Sequence, residues 1–370
     1  SKYKISLVFN GEIYNYLELK KELISRGHSF RSKGDAEVIL NGYLEWGEKI
    51  SDKLEGMFTF AILDLNKRYI FVSRDQMGIK PLYIMQNNEM IFISSEIKPL
   101  TEIINLEVDK KSLREIVFFR YASGKSTGYK NINKILAGYN YLIDIDTFQV
   151  KKKKYFDICS SFENNINKNF LHITKNTLFD SFIKHTQSDV GFAVQLSGGL
   201  DSGLLVAYLQ RKYGKKISTY SIRLDSTELD EKQYIRYIND NYPTNHKDIF
   251  FDSKIFADNF EKTIKSLEAP TTHFGCVLLH ELCQNISQKH KVVLTGEGAD
   301  EVFGGYSRYN DIDKVIKLTK LANFLPKKFC DKIPRLQFLE NYRKKNPFLE
   351  LITFRIFDIM RDIFNDFDFE

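Results

Sequence analysis

Two short segments carry residue types suited to holding a phosphate chain and a cation. The first is Ser197-Gly198-Gly199-Leu200-Asp201-Ser202, set between an apolar strand-like run and an apolar helix-like run. Paired glycines let the backbone turn sharply and approach an anion closely. Free N–H groups of a loop and a helix start then face that anion. Ser197 and Ser202 add hydroxyl donors, and Asp201 can hold a magnesium ion. No Gly-Lys-Ser/Thr follows, so this is not a Walker loop. The second segment is Leu294-Thr295-Gly296-Glu297-Gly298-Ala299-Asp300-Glu301, continuing into Val302-Phe303-Gly304-Gly305-Tyr306. Glu297, Asp300 and Glu301 crowd three carboxylates together, which a cation or a shared proton makes tolerable. Magnesium-ATP would supply the cation. A plain tight turn and a plain acidic surface turn are the competing readings, and the presence of both segments in one chain weighs against each.

The elements that must position these segments follow from hydrophobic rhythm. After residue 168 the chain predicts a helix over Phe170–His185, a strand over Val190–Leu196 and a helix over Leu204–Tyr213. Next come a strand at Ile217–Leu224, a helix at Glu231–Asn241, a strand at Lys247–Phe251 and a helix at Ser253–Leu267. A helix at Val277–Lys289 and a strand at Lys291–Thr295 complete the series. Such alternation predicts a parallel sheet with crossover helices, both segments opening at strand ends. Before residue 155 the chain is β-rich, with strands predicted at Tyr3–Phe9, Thr59–Asp64, Tyr69–Ser73, Leu82–Met85, Met90–Ser94 and Tyr139–Ile145. Helices are predicted at Tyr16–Ser25 and Ala36–Trp46. Lys151–Lys154 reads as a solvated turn, and Ser160–Asn169 as linker.

Bulk composition narrows the classes. The 370 residues suit two domains, and 43% hydrophobic content excludes a largely disordered chain. A net charge of +6, without a basic arm, predicts no nucleic-acid partner. No apolar run reaches the roughly 20 residues of a membrane helix, so no membrane partner is expected. Cys159, Cys276, Cys283 and Cys330 show no zinc-ligand spacing. Scattered thiols suit a reducing compartment, and a cytoplasmic location is expected.

The two segments resemble the SGGxDS pyrophosphate loop and the GEGxDE element of the glutamine-hydrolysing asparagine synthetase family. The usual proline ahead of the first loop is Gly191 here. The resemblance implies cleavage of ATP to AMP and pyrophosphate, with a β-aspartyl-AMP intermediate on the way from aspartate to asparagine. It implies phosphate contacts from Ser197, Gly198, Gly199, Asp201 and Ser202. Leu196 and Ile222 would line the adenosine pocket, Thr295 and Gly296 would touch the nucleotide, and Asp201 and Asp300 would hold Mg2+. Glu297 would be catalytic. Glu268, in Leu267-Glu268-Ala269-Pro270, falls where the family often has an acidic residue near the substrate.

The first half resembles the family's glutamine amidotransferase domain. Phe9-Asn10-Gly11-Glu12-Ile13-Tyr14-Asn15 matches its oxyanion segment. Arg74-Asp75-Gln76-Met77-Gly78-Ile79-Lys80-Pro81-Leu82-Tyr83 and Ser95-Glu96-Ile97-Lys98 match its RDxxGxxPLY and SExK elements. Asn10, Gly11, Glu12 and Asp35 would bind glutamine. Arg74 and Asp75 are expected to be structural or interdomain. The family's N-terminal cysteine nucleophile has no counterpart near Ser1, so a fragment shortened at both ends, without glutaminase activity, is expected.

The expected fold is therefore an α+β, Ntn-hydrolase-like amidotransferase domain over 1–155, its nucleophile segment absent. An α/β ATP-pyrophosphatase domain of the adenine nucleotide α-hydrolase type, with a parallel sheet, follows over 156–370. ATP and Mg2+ are the expected cofactors, with aspartate and glutamine or ammonia as substrates. A homodimer is compatible with this reading. Two alternatives stay open: amidation of another carboxylate, and a non-catalytic chain that binds nucleotide.

Overall fold

The structure, a computed structural model, describes residues 4–326 except 88–89, 162–168, 214–216, 225–230, 270 and 272. Most of the Ser160–Asn169 linker, Cys330 and Pro270 lie outside the described residues.

The first half is built on alternation of inward and outward side chains. Strand β1 (Ile5–Ile13) is followed by helices α1 (Tyr16–Ser25) and α2 (Ala36–Trp46), then strands β2 (Gly56–Asp64) and β3 (Tyr69–Arg74). Strands β4 (Tyr83–Gln86) and β5 (Ile91–Ser94) precede helices α3 (Lys98–Thr101) and α4 (Lys110–Phe119). Strands β6 (Ile132–Lys134), β7 (Tyr139–Asp144) and β8 (Val150–Lys154) complete it. One antiparallel sheet has the order β1-β2-β3-β7-β8, and a smaller one the order β5-β4-β6. Leu19 and Leu23 of α1 and Val38, Ile39 and Tyr43 of α2 pack with Phe58, Phe60, Ile62 and Phe71 on one face of the larger sheet. On its other face Val72, Tyr141 and Ile143 pack with Ile84 of the smaller sheet.

The lysine run is a correction. Lys151–Lys154 forms most of β8, paired with β7 in the register Tyr139↔Lys154 to Leu142↔Lys151. Charged side chains on an edge strand keep it from pairing with other chains, so a run that resembles a solvated turn is an edge strand. Helix α4 and strand β6 have no counterpart among the predicted elements. The Asp109 side chain caps α4 by accepting from the Lys111 N–H at 3.1 Å.

The second half follows the predicted alternation. Helix α5 (Phe170–His185) leads to β9 (Phe192–Gln195), α6 (Leu200–Tyr213), β10 (Ser218–Leu224), α7 (Lys232–Asn241) and β11 (Asn245–Phe251). Helices α8 (Ser253–Leu267) and α9 (Gly275–Ser287), strand β12 (Val292–Leu294) and helices α10 (Ala299–Phe303) and α11 (Ile312–Phe324) follow. All pairings in this sheet are parallel, in the order β11-β10-β9-β12. Leu205, Val206 and Leu209 of α6 and Ile235 of α7 pack on one face with Val194 and Leu196. Leu282 and Ile286 of α9 pack on the other with Ala193, Tyr220 and Ile249. Among the described residues no helix is long and apolar enough to cross a membrane.

Candidate active site

Strand order fixes where a ligand can enter the second half. From β9 the chain steps to β10 and β11 on one side, then returns to β12 on the other side of β9. The crossover helices leave on opposite faces there, which opens a crevice at the carboxyl ends of β9 and β12. Both sequence segments emerge at that place. The Leu196 N–H extends the β9–β10 ladder by donating to the Tyr220 carbonyl at 2.8 Å. Ser197–Gly199 then turn, with Gly198 at φ +81. Helix α6 starts at Leu200, four residues before its predicted start, so Asp201 and Ser202 lie in its first turn. Their main-chain N–H groups lack intrahelical acceptors and are available to an anion.

The two segments touch. A Cβ placed on Gly296 would lie 3.0 Å from the Ser202 nitrogen and 3.1 Å from the Asp201 Cβ. Glycine is therefore what lets the second loop close onto the first turn of α6. Within the first loop, the Ser197 and Ser202 hydroxyls are 3.0 Å apart, and the Ser202 hydroxyl receives the Ser197 N–H at 3.2 Å. Ser202 is buried and braces the loop, whereas Ser197 faces solvent. Glu297 is exposed at the loop tip, with Thr295 and Asp300 half-buried beside it. Asp300 Oδ1 lies where a side chain on Gly305 would have to go, 2.0 Å from that Cβ position. Leu196 and Ile222 lie at neighbouring positions of adjacent strands with their side chains on opposite faces: Leu196 is fully buried against α6 and α7, and Ile222 packs with the α9 cluster.

Two further residues adjoin the loop and are missed by sequence reasoning. Glu231 packs over Gly198, whose added Cβ would meet the Glu231 Cβ at 2.9 Å. Burial holds the Glu231 carboxyl above its ordinary range. Gln195, the last residue of β9, keeps a buried side-chain carbonyl with no hydrogen-bond partner among the described residues. Nothing in their spacing marks either one, because both roles arise from tertiary position.

In the first half, Asn10, Gly11 and Glu12 occupy the end of edge strand β1. Asp35 arrives from the start of α2, and its carboxylate accepts the Ile13 N–H at 3.0 Å. The structure thus brings Asp35 beside Glu12. Burial, then the charges of Asp35 and Asp189, raise the Glu12 carboxyl. The Tyr14 hydroxyl is pushed up to about 12 by burial, with Glu12 and Asp75 adding to it. Arg74 and Asp75 are structural. Asp75 accepts N–H groups of Met77, Ile79 and Lys80 at 2.9–3.1 Å. Arg74 donates to the Lys80, Ile135 and Gly78 carbonyls.

Contacts between the halves cluster near these residues. The Tyr14 and His185 rings lie 4.7 Å apart, and Lys184 pairs with Glu55. Glu268 is engaged differently from the substrate-side role expected of it. It ends α8 at φ +56, and its two carboxylate oxygens accept the Ile97 N–H at 2.6 Å and the Lys98 N–H at 2.7 Å. It therefore caps the Ser95–Lys98 element of the other half. Glu268→Ala is expected to loosen this docking by about 1–3 kcal/mol. Hydrogen exchange at the Ile97 and Lys98 amides should speed up accordingly, and unchanged exchange would argue against the cap.

The chain thus joins an antiparallel amidotransferase-like domain to a parallel sheet with a glycine-rich strand-to-helix turn. Residues 1–156 match the glutamine amidotransferase domain model, and residues 174–360 match the asparagine synthase model. The chain belongs to the asparagine synthase family. It is 29% identical over 309 residues to asparagine synthetase [glutamine-hydrolyzing] 1 of Bacillus subtilis, covering 82% of this chain and 48% of that protein. It is 31% identical over 327 residues to putative asparagine synthetase [glutamine-hydrolyzing] 2 of Methanocaldococcus jannaschii, covering 87% of this chain and 62% of that protein. The chain spans about half the length of the first of these relatives and under two thirds of the second.

Proposed function

We propose that the second half cleaves ATP to AMP and pyrophosphate to activate the side-chain carboxylate of aspartate, which ammonia or glutamine-derived nitrogen converts to asparagine. The observation that carries this reading is the closure of Gly296 onto the Asp201–Ser202 helix start at the carboxyl ends of adjacent parallel strands. A carboxylate is a poor electrophile, and transfer of AMP gives it a good leaving group. The amides of the loop and of the first turn of α6, with Ser197 and Gly199, would stabilise the departing pyrophosphate. Ser202 would hold the loop in shape. Among the described residues no three His, Cys, Asp or Glu side chains form a metal cluster. One or two carboxylates plus substrate phosphates suffice for magnesium, so Asp201 and Asp300 fit a Mg2+ that arrives with ATP. Exposed Glu297 would face the acyl-adenylate and take a proton from the attacking ammonia. Leu196, Ile222 and Thr295 would border the nucleotide.

In the first half, Asn10 and Gly11 would face the glutamine amide. Asp35, with one oxygen on Ile13, would direct the other at the glutamine α-amino group, beside Glu12. The spans of the two matched domain models support a boundary near residue 155. The test is aspartate-dependent exchange of labelled pyrophosphate into ATP. Exchange with aspartate and not with other carboxylates is expected, and exchange with none sinks the proposal.

A further inference from the structure

A further cavity has none of these site residues in its lining. It is a cleft of about 260 Å³ between β4 and β6 of the small sheet and β7 and β8 of the large one. Its floor is apolar, made of Ile84, Tyr141 and Val150. Four lysines also line it, the exposed Lys125, Lys130 and Lys152 and the half-buried Lys134. Asn131, Asn133 and Gln86 complete the lining, and the Gln86 side chain donates to the Phe148 carbonyl at 2.9 Å. Nothing after residue 152 lines it, and β1, which carries Asn10–Glu12, is at the opposite edge of the large sheet.

The charges in this cleft are poorly balanced from within. Lys130 alone has a carboxylate partner, Glu107 at 2.8 Å. Lys134 is half-buried and donates only to the Ala122 carbonyl, at 3.0 Å. Among the described residues no carboxylate lies within ion-pair distance of Lys134, Lys125 or Lys152. Lys152 sits instead over the Tyr141 ring, 5.1 Å from its centroid. Burial and the nearby Arg74 guanidinium press the Lys134 ammonium below its ordinary range, with Glu115 offsetting them in part. Four lysines with one carboxylate partner among the described residues give the cleft a net positive charge, which favours an anion. Ligand sites typically combine an apolar lining with a few converging polar groups.

We infer that this cleft binds a small multivalent anion, phosphate- or carboxylate-bearing, carried on a compact apolar or aromatic body. The lysines and asparagines take the anionic groups, and Ile84, Tyr141 and Val150 take the body. The probe is phenyl phosphate, with inorganic phosphate for comparison, read by calorimetry and by lysine acetylation footprinting of the whole chain. Phenyl phosphate should protect Lys125, Lys130 and Lys152 and bind more tightly than inorganic phosphate. Lys125→Gln with Lys152→Gln should weaken binding about tenfold, and Lys125→Arg with Lys152→Arg should retain it. Protection absent from these lysines, binding unchanged in the glutamine variant, or equal affinity for the two phosphates would overturn the inference. None of these readouts depends on the nucleotide loops, so the inference stands or falls separately from the proposed activity.

Discussion

Gly11→Ala is expected to destabilise the first half by about 3 kcal/mol, a drop of roughly 6–12 °C in its unfolding midpoint. Gly11 sits at φ +151 in β1, opposite Phe58 of β2. A Cβ there would lie 2.2 Å from the Met57 carbonyl oxygen and 2.7 Å from the Phe58 Cα. Both are main-chain atoms of the paired strand, so neither can swing away as a side chain would. Gly56 mirrors it across the pair, at φ +154, with a Cβ position 2.1 Å from the Glu12 carbonyl oxygen. The two glycines bring the strands close where Asn10 and Glu12 are displayed. Calorimetry should show the first half melting earlier while the parallel-sheet half keeps its transition. An unchanged first transition would mean that β1 absorbs the methyl group by shifting.

Gly296→Val is expected to lower aspartate-dependent pyrophosphate exchange about a hundredfold while leaving the fold intact. Gly296 has no left-handed constraint, so the effect comes from contact alone. Its added carbon meets the Ser202 nitrogen and the Asp201 side chain at 3.0–3.1 Å, and valine adds two more carbons beyond it. The loops must part, carrying Glu297 away from the first turn of α6. Reacting groups displaced by about 1 Å can lose two orders of magnitude in rate. Both loops lie at a crevice and not in a core, so melting should change little. A large loss of stability, or exchange within twofold of the parent chain, would contradict this view of how the site is assembled.

Much of the fold was legible because local rhythm and tertiary burial agree. Helices α1, α2, α5 and α8 run over the residues their apolar spacing predicts. The parallel sheet followed from strands alternating with helices, and its two loops from glycines and carboxylates at strand ends. Legibility failed where a neighbour decides. Lys151–Lys154 is a strand because Tyr139–Leu142 lies beside it. Leu200 starts α6 because the Ser197–Gly199 turn ends there. The position of Glu231 over Gly198 depends on packing between residues 33 apart in the chain. Glu268 is the sharpest case. Its partners are two peptide N–H groups, which no residue pattern can announce.

That last feature bears on how the two halves can diverge. A carboxylate held by peptide amides does not read the side chains that carry them. Lys98, which is exposed, can therefore exchange for most other residues without loosening the joint, whereas Ile97 is held by its packing with Met85, Leu100 and Ile132. Proline, which has no N–H, is the one residue barred from both positions. On the other half only the acidic group is required, at a place where the chain must turn left-handed. One side of this junction is written in the backbone and the other in a single residue, so the exposed side chain at position 98 is free to drift while the seating stays fixed.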